Sequence, residues 1–178
     1  MQQEMQQANN GAPLPNGFSA TARQLAGLMR ADKRIKIAFA GLGGWDTHVN
    51  QGNATGQLAQ RLKPLGEGLT TLMQELGPEL AQTSIVVMSE FGRTVKENGN
   101  GGTDHGHGNV MWVMGGGFTG GKVYGQWPGL ADSKRYEGRD LAVTTDFRQV
   151  LSQVLRHQVG LTPAQLSQVF PGFNASSG

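Results

Sequence analysis

The stretch SIVVMSEFGRTVKENGNGGTDHGHGN, residues 84–109, decides how the rest of the chain is read. It opens on β-branched and apolar residues, Ile85 to Met88, with the signature of a buried strand, and the run stops abruptly at Ser89-Glu90. A loop rich in glycine and asparagine follows, and then Asp104, His105 and His107 crowd into four positions between glycines. Two imidazoles and a carboxylate in pliable backbone at the mouth of a strand suit a divalent-metal site. Nitrogen and oxygen donors must come within about 2.0–2.2 Å of Zn²⁺, and small neighbours let them converge. Asp46 and His48, in GGWDTH at the end of an earlier apolar run, supply the complement. Of the four histidines, only His157 lies outside these two clusters.

Working outward, the residues before this stretch predict strand, helix, strand. Ile35 to Ala40 is a short apolar strand ended by Gly41-Leu42-Gly43-Gly44, with Asp46 and His48 in the turn beyond. Leu58, Leu62, Leu65, Leu69, Leu72, Met73, Leu76 and Leu80 recur at threes and fours, which marks a long amphipathic helix that Pro64 kinks or restarts. A crossover helix between two strands predicts a right-handed parallel unit, and hence an α/β fold with a mostly parallel sheet flanked by helices. In such sheets ligands gather at the carboxyl ends of the strands, where Asp46, His48 and Glu90 all fall. An earlier helix starts at Ser19 as N-cap, with Ala22, Leu25, Leu28 and Met29 on its packing face. Downstream, Val110 to Met114 is a third strand, and Lys122 to Trp127 a short strand or hairpin arm. Asp146 opens a helix carrying Phe147, Val150, Leu151, Val154 and Leu155, and Thr162-Pro163 starts a last one through Val169. Residues 1–17, Gln/Asn-rich with two prolines, are expected to be a disordered tail or linker; residues 18–173 form the domain and 174–178 a frayed end.

Bulk composition narrows the function. The chain has 178 residues, a formal charge of +2 and no cysteine. Disulfide scaffolds, thiolate metal sites and cysteine nucleophiles are therefore excluded. A near-balanced charge gives no field to gather nucleic acid, and no apolar run approaches the ~20 residues that span a bilayer. Gly116 to Lys122 fits the core of a phosphate-binding loop, but Val123 stands where the Mg²⁺-binding hydroxyl belongs. No G-x-S-x-G elbow is present.

Each candidate residue also has a plain structural reading. Asp46 and His48 fit a capped turn as well as half of a metal site, and Asp104, His105 and His107 fit a solvated glycine loop. Glu90, at the end of a buried strand, must be paired, either as a ligand or with a cation such as Arg93. Arg93, Lys96 and Arg139 read as solvated surface or as contacts for an anionic substrate. Asp146 is a helix-start residue complementing the dipole.

The motifs GGWDTH, MSEFGRT, GGTDHGHGN, GGGFTGGKVYGQWPGL, GRDLAVTTDFRQVL and VFPGF, in that order, resemble the C-terminal part of a bacterial family known as domain of unknown function 1501. That family is placed in the alkaline-phosphatase-like superfamily, whose hydrolases and mutases carry two metals. The resemblance implies an α/β/α fold of which this chain is a part. It matches Asp46 and His48 to the first metal-binding pair, at a shorter spacing than D-x-x-x-H, and His105 to the later histidine, with His107 as its rival. Ser89-Glu90-Phe91 fall where the second site's Asp-His pair would be; Glu90 can coordinate and Phe91 cannot. The superfamily's nucleophile belongs to an N-terminal half expected upstream, as does a twin-arginine export signal. The expectation is a Zn²⁺- or Mn²⁺-binding domain acting, when complete, on phosphate or sulfate esters in the periplasm or outside the cell, with Glu90 and Arg93 assisting. The alternative is a non-catalytic exported domain that kept the fold.

Overall fold

A computed structural model describes residues 17–174, so the expected tail over residues 1–16 and the last four residues lie outside the described part. The described chain forms two compact units, one of residues 17–79 with Lys96–Asp104, the other of Leu80–Val95 with 105–174.

The first unit is built on two helices, α1 (Phe18–Ala31) and α2 (Gln57–Leu76). Helix α1 begins one residue before the serine expected to cap it. Gly17, at φ 81, takes the N-cap position with no side-chain hydrogen bond. Its buried seam is Phe18, Ala22 and Ala26, whereas Leu28 is 58% exposed, so the packing face differs from the one read off the larger apolar residues. Two alanines a turn apart let the helix backbones approach closely, and Gly68 of α2 sits so tightly under the Phe18 ring that a Cβ there would collide with it. On α2, Leu65, Leu69, Leu72 and Leu76 are buried, as their spacing predicts. The helix runs through Pro64 and stops at Gly77, after which residues Gly77–Gln82 tighten into a 3₁₀ helix that takes Leu80 out of the leucine stripe. Exposed ion pairs (Lys33–Glu79 at 2.7 Å, Arg30–Glu75 at 3.5 Å) dress this pair without adding much stability. Ile35 to Ala40 belongs to no named strand. A strand needs a ladder partner, and this unit contains only helices and loops.

The second unit holds two short antiparallel pairs. Strand β1 (Ser84–Val87) lies against β4 (Trp112–Gly115), with Ile85 opposite Met114 and Val86 opposite Val113. Strand β2 (Gly92–Arg93) lies against β3 (His105–Gly106), with Arg93 opposite His105. The third predicted strand thus exists, two residues late, and pairs antiparallel with β1; Lys122 to Trp127 carries no strand. The parallel pairing expected of Ile35–Ala40 with Ser84–Met88 is not among the pairings within either unit. Helices α3 (Phe147–Val159) and α4 (Pro163–Val169) start where the sequence says they do. Asp146 caps α3 by accepting from the Arg148 N–H, and Thr162 with Gln165 forms a reciprocal capping box before Pro163. Val154 and Leu166 are their buried apolar anchors.

Candidate metal centre

Two loops of the first unit are zipped together, and Asp46, His48 and Asp104 ride on them. The 41–48 loop turns at Gly44, whose φ of 89 suits glycine and brings the backbone against the Arg61 guanidinium. Trp45 fixes the turn by donating its indole N–H to the Leu42 carbonyl at 2.7 Å. The second loop, Lys96–Asp104, lies along the first. The Asn50 and Gln51 N–H groups donate to the Asn100 and Gly101 carbonyls at 3.0 and 2.8 Å, and the Thr103 N–H donates to the Thr47 carbonyl at 3.2 Å. The Gln51 side-chain oxygen accepts from both the Thr47 and Thr103 hydroxyls, at 2.8 and 2.7 Å. Gly102 is buried against the Thr47–His48 peptide so closely that no Cβ fits.

This zipper sets His48 beside Asp104, with Nδ1 3.0 Å from a carboxylate oxygen. A carboxylate only accepts, so the bond puts the proton of the neutral ring on Nδ1 and leaves Nε2 as its lone-pair donor. That is how metal-binding histidines are commonly oriented, with a carboxylate behind the ring. Asp104 stands behind the His48 ring in this arrangement. Donor atoms of Asp46 and His48 lie within 4.8 Å of one another, and His105 is the residue that follows Asp104 in the chain. Ligands around a tetrahedral Zn²⁺ sit roughly 3.4 Å apart, given bonds of about 2.0–2.2 Å, so modest side-chain rotation brings this pair to the spacing an ion needs. An imidazole and a carboxylate are donor types that suit Zn²⁺ or Mn²⁺. Asp46 is exposed and His48 half-buried, which leaves room for further ligands to complete a coordination shell.

The remaining candidates are placed elsewhere. His107 stacks on the Tyr136 ring at 3.9 Å between centroids. The His105 ring is stacked on Phe91 at 4.0 Å. Glu90 is exposed and accepts from the Ser89 hydroxyl at 3.0 Å, so the expected burial of this carboxylate is absent. The loop around it is held by Asn109, whose amide donates to the Ser89 and Phe91 carbonyls at 3.0 Å each. Arg139 binds Asp140, buried at 2% exposure, through two bonds of 2.8 Å. Sequence reasoning passed over Asn98, Gln51 and Gly102. The one available signal was the N-G-N-G-G run, since asparagine in glycine-rich turns commonly bonds nearby backbone.

A family model described as "Protein of unknown function (DUF1501)" matches residues 1–169. No curated protein matches, and neither does any solved structure.

Proposed function

The chain belongs to the DUF1501 family of proteins of unknown function, and from that premise we propose a metal-binding, hydrolase-like domain of alkaline-phosphatase-like α/β architecture that acts, when complete, on phosphate or sulfate esters. The observation that carries the proposal is the grouping within the first unit of the Asp46 and His48 donor atoms, within 4.8 Å of one another, with the Asp104 carboxylate 3.0 Å behind the His48 ring. Asp46 and His48 hold the ion, with Asp104 behind the His48 ring, and the family resemblance adds His105 as a further ligand. A bound Zn²⁺ or Mn²⁺ supplies Lewis acidity toward an ester oxygen and acidifies coordinated water. Arg93, opposite His105 in the β2–β3 pair, is the cation for an anionic ester, and Glu90, two residues before that strand, is the base.

Equilibrium dialysis against Zn²⁺ and Mn²⁺ tests the site. Wild type is expected to bind about one equivalent, and the Asp46→Ala/His48→Ala double variant to lose it. Equal binding by the two ends the proposal.

A specific observation favours a second reading, a non-catalytic exported domain. Glu90 and Phe91 stand where a second metal pair would be, and Phe91 packs its ring on His105 instead of presenting a donor. A panel of phosphate and sulfate esters, assayed on the longest form of the protein, divides the readings. Metal-dependent turnover lost in His105→Ala supports the hydrolase; a silent panel with bound metal supports the binding domain.

A further inference from the structure

The side chain that ties the two loops to His48 is Asn98, and every polar atom of its amide is used. Its oxygen accepts from the Asn100 and Gly102 N–H groups at 2.9 and 3.1 Å, and its nitrogen donates to the His48 carbonyl and to Asp104 Oδ1, both at 3.0 Å. Its own backbone N–H donates to the Gly102 carbonyl at 2.8 Å. The residue is half-buried, while the carboxylate it holds is exposed.

These bonds do different jobs. The two accepted by the oxygen shape the loop. The two donated by the nitrogen join the His48 backbone to the carboxylate that holds the same residue's ring. An exposed aspartate has several rotamers, and pinning one of them takes a partner with a fixed direction. Asn98 supplies that direction, with Asp104 Oδ1 receiving both the amide N–H and His48 Nδ1 at 3.0 Å.

We propose that Asn98 is the positioning residue of this site: through Asp104 it fixes the His48 ring in the Nδ1–H tautomer, with Nε2 as the donor offered to a divalent cation. The assignment rests on the metal reading for its purpose, but its first readout needs no metal.

The test is the tautomer of His48, read from imidazole ¹⁵N shifts of the labelled full chain without metal, followed by Zn²⁺ titration. In wild type the Nδ1–H form should dominate. In Asn98→Ala the ring should move toward the Nε2–H form that an unrestrained imidazole prefers, and Zn²⁺ affinity should fall 10–100-fold, the usual effect of losing a partner behind a metal ligand. Thr103→Val, which removes a different bond between the same loops, should leave the tautomer as it is. Asn98→Ala placed on Asp104→Asn should shift the tautomer no further than Asp104→Asn alone, because the effect passes through that carboxylate. If Asn98→Ala fails to fold, Asn98→Asp retains the acceptor for Asn100 and Gly102 and carries the same comparison. A wild-type tautomer in the Asn98 variant, or an equal shift in Thr103→Val, overturns the proposal. A wild type that binds no Zn²⁺ yet shows the tautomer shift overturns the metal reading and leaves the positioning role of Asn98 standing.

Discussion

Replacing Gly102 by alanine is the sharpest perturbation of the loop pair. A Cβ at this position points into the Thr47–His48 peptide and meets the His48 carbonyl carbon and oxygen and the Thr47 oxygen. It would lie roughly 1 Å inside the 3.4 Å at which ordinary contact begins. These are main-chain atoms, so no rotamer change relieves the clash, and the two loops must part by about that distance. The cost on the fold is that of overpacking, about 1–3 kcal/mol, which for a chain of this size lowers Tm by roughly 2–12 °C. The cost on the site is larger in proportion. Metal–ligand distances tolerate about ±0.2 Å, so a shift near 1 Å takes His48 out of range of an ion shared with its neighbours. The Gly102 N–H to Asn98 and the Thr103 N–H to Thr47 stretch at the same time. Gly102→Ala should therefore weaken Zn²⁺ binding at least 10-fold by calorimetry, in step with the fall in Tm. Binding and melting both equal to wild type would show that the loops are not zipped as described, and would refute the packing argument itself.

Two predictions concern the elements that carry the fold. Leu76→Ala, at a fully buried position where α2 ends, should cost about 2–5 kcal/mol by urea denaturation, and an effect below 1 kcal/mol would mean the helix pair is not packed there. Asp146→Ala should cost about 1 kcal/mol near neutral pH through loss of the α3 cap. The side-chain hydrogen bond from Arg148 holds the Asp146 carboxyl below its ordinary range. Its contribution is therefore present above the unfolded-chain value near pH ~4 and lost as the pH falls through the lower folded value. The stability gap between wild type and variant should close on acidification below about pH 4, and a gap that widens there contradicts the assignment.

The sequence was most informative where local chemistry decides local structure. Leucines at threes and fours marked α2, and Asp146 and Thr162-Pro163 fixed the starts of α3 and α4, because a cap or an apolar stripe needs only near neighbours. It was less so where pairing is non-local. Ile35 to Ala40 has the composition of a strand, but composition does not supply a ladder partner, and the two-residue pairing of Arg93 with His105 is too short to leave a pattern. The large apolar residues of α1 misled for a related reason: the fully buried positions are Ala22 and Ala26, and Gly68 lies against the Phe18 ring, where small size matters more than hydrophobicity. Asp46, His48 and His105 were legible as metal-type residues because imidazoles and a carboxylate clustered among glycines are visible in the chain itself. Asn98 was not legible, because its partner at His48 lies 50 residues away and asparagine in a glycine loop is unremarkable by type.

Pro64 gives α2 an uneven temper. Before it, the helix is moored at Gln57, whose amide donates to the Val49 and Asn50 carbonyls at 2.9 and 3.0 Å; after it, the helix is gripped by buried leucines against α1. Proline has no N–H to offer the carbonyl four residues back, so one rung is missing where the first kind of anchorage gives way to the second. Strain introduced at the loop can be absorbed at that rung, and the leucine-held half of the helix is insulated from whatever the donor-bearing loop is asked to accommodate.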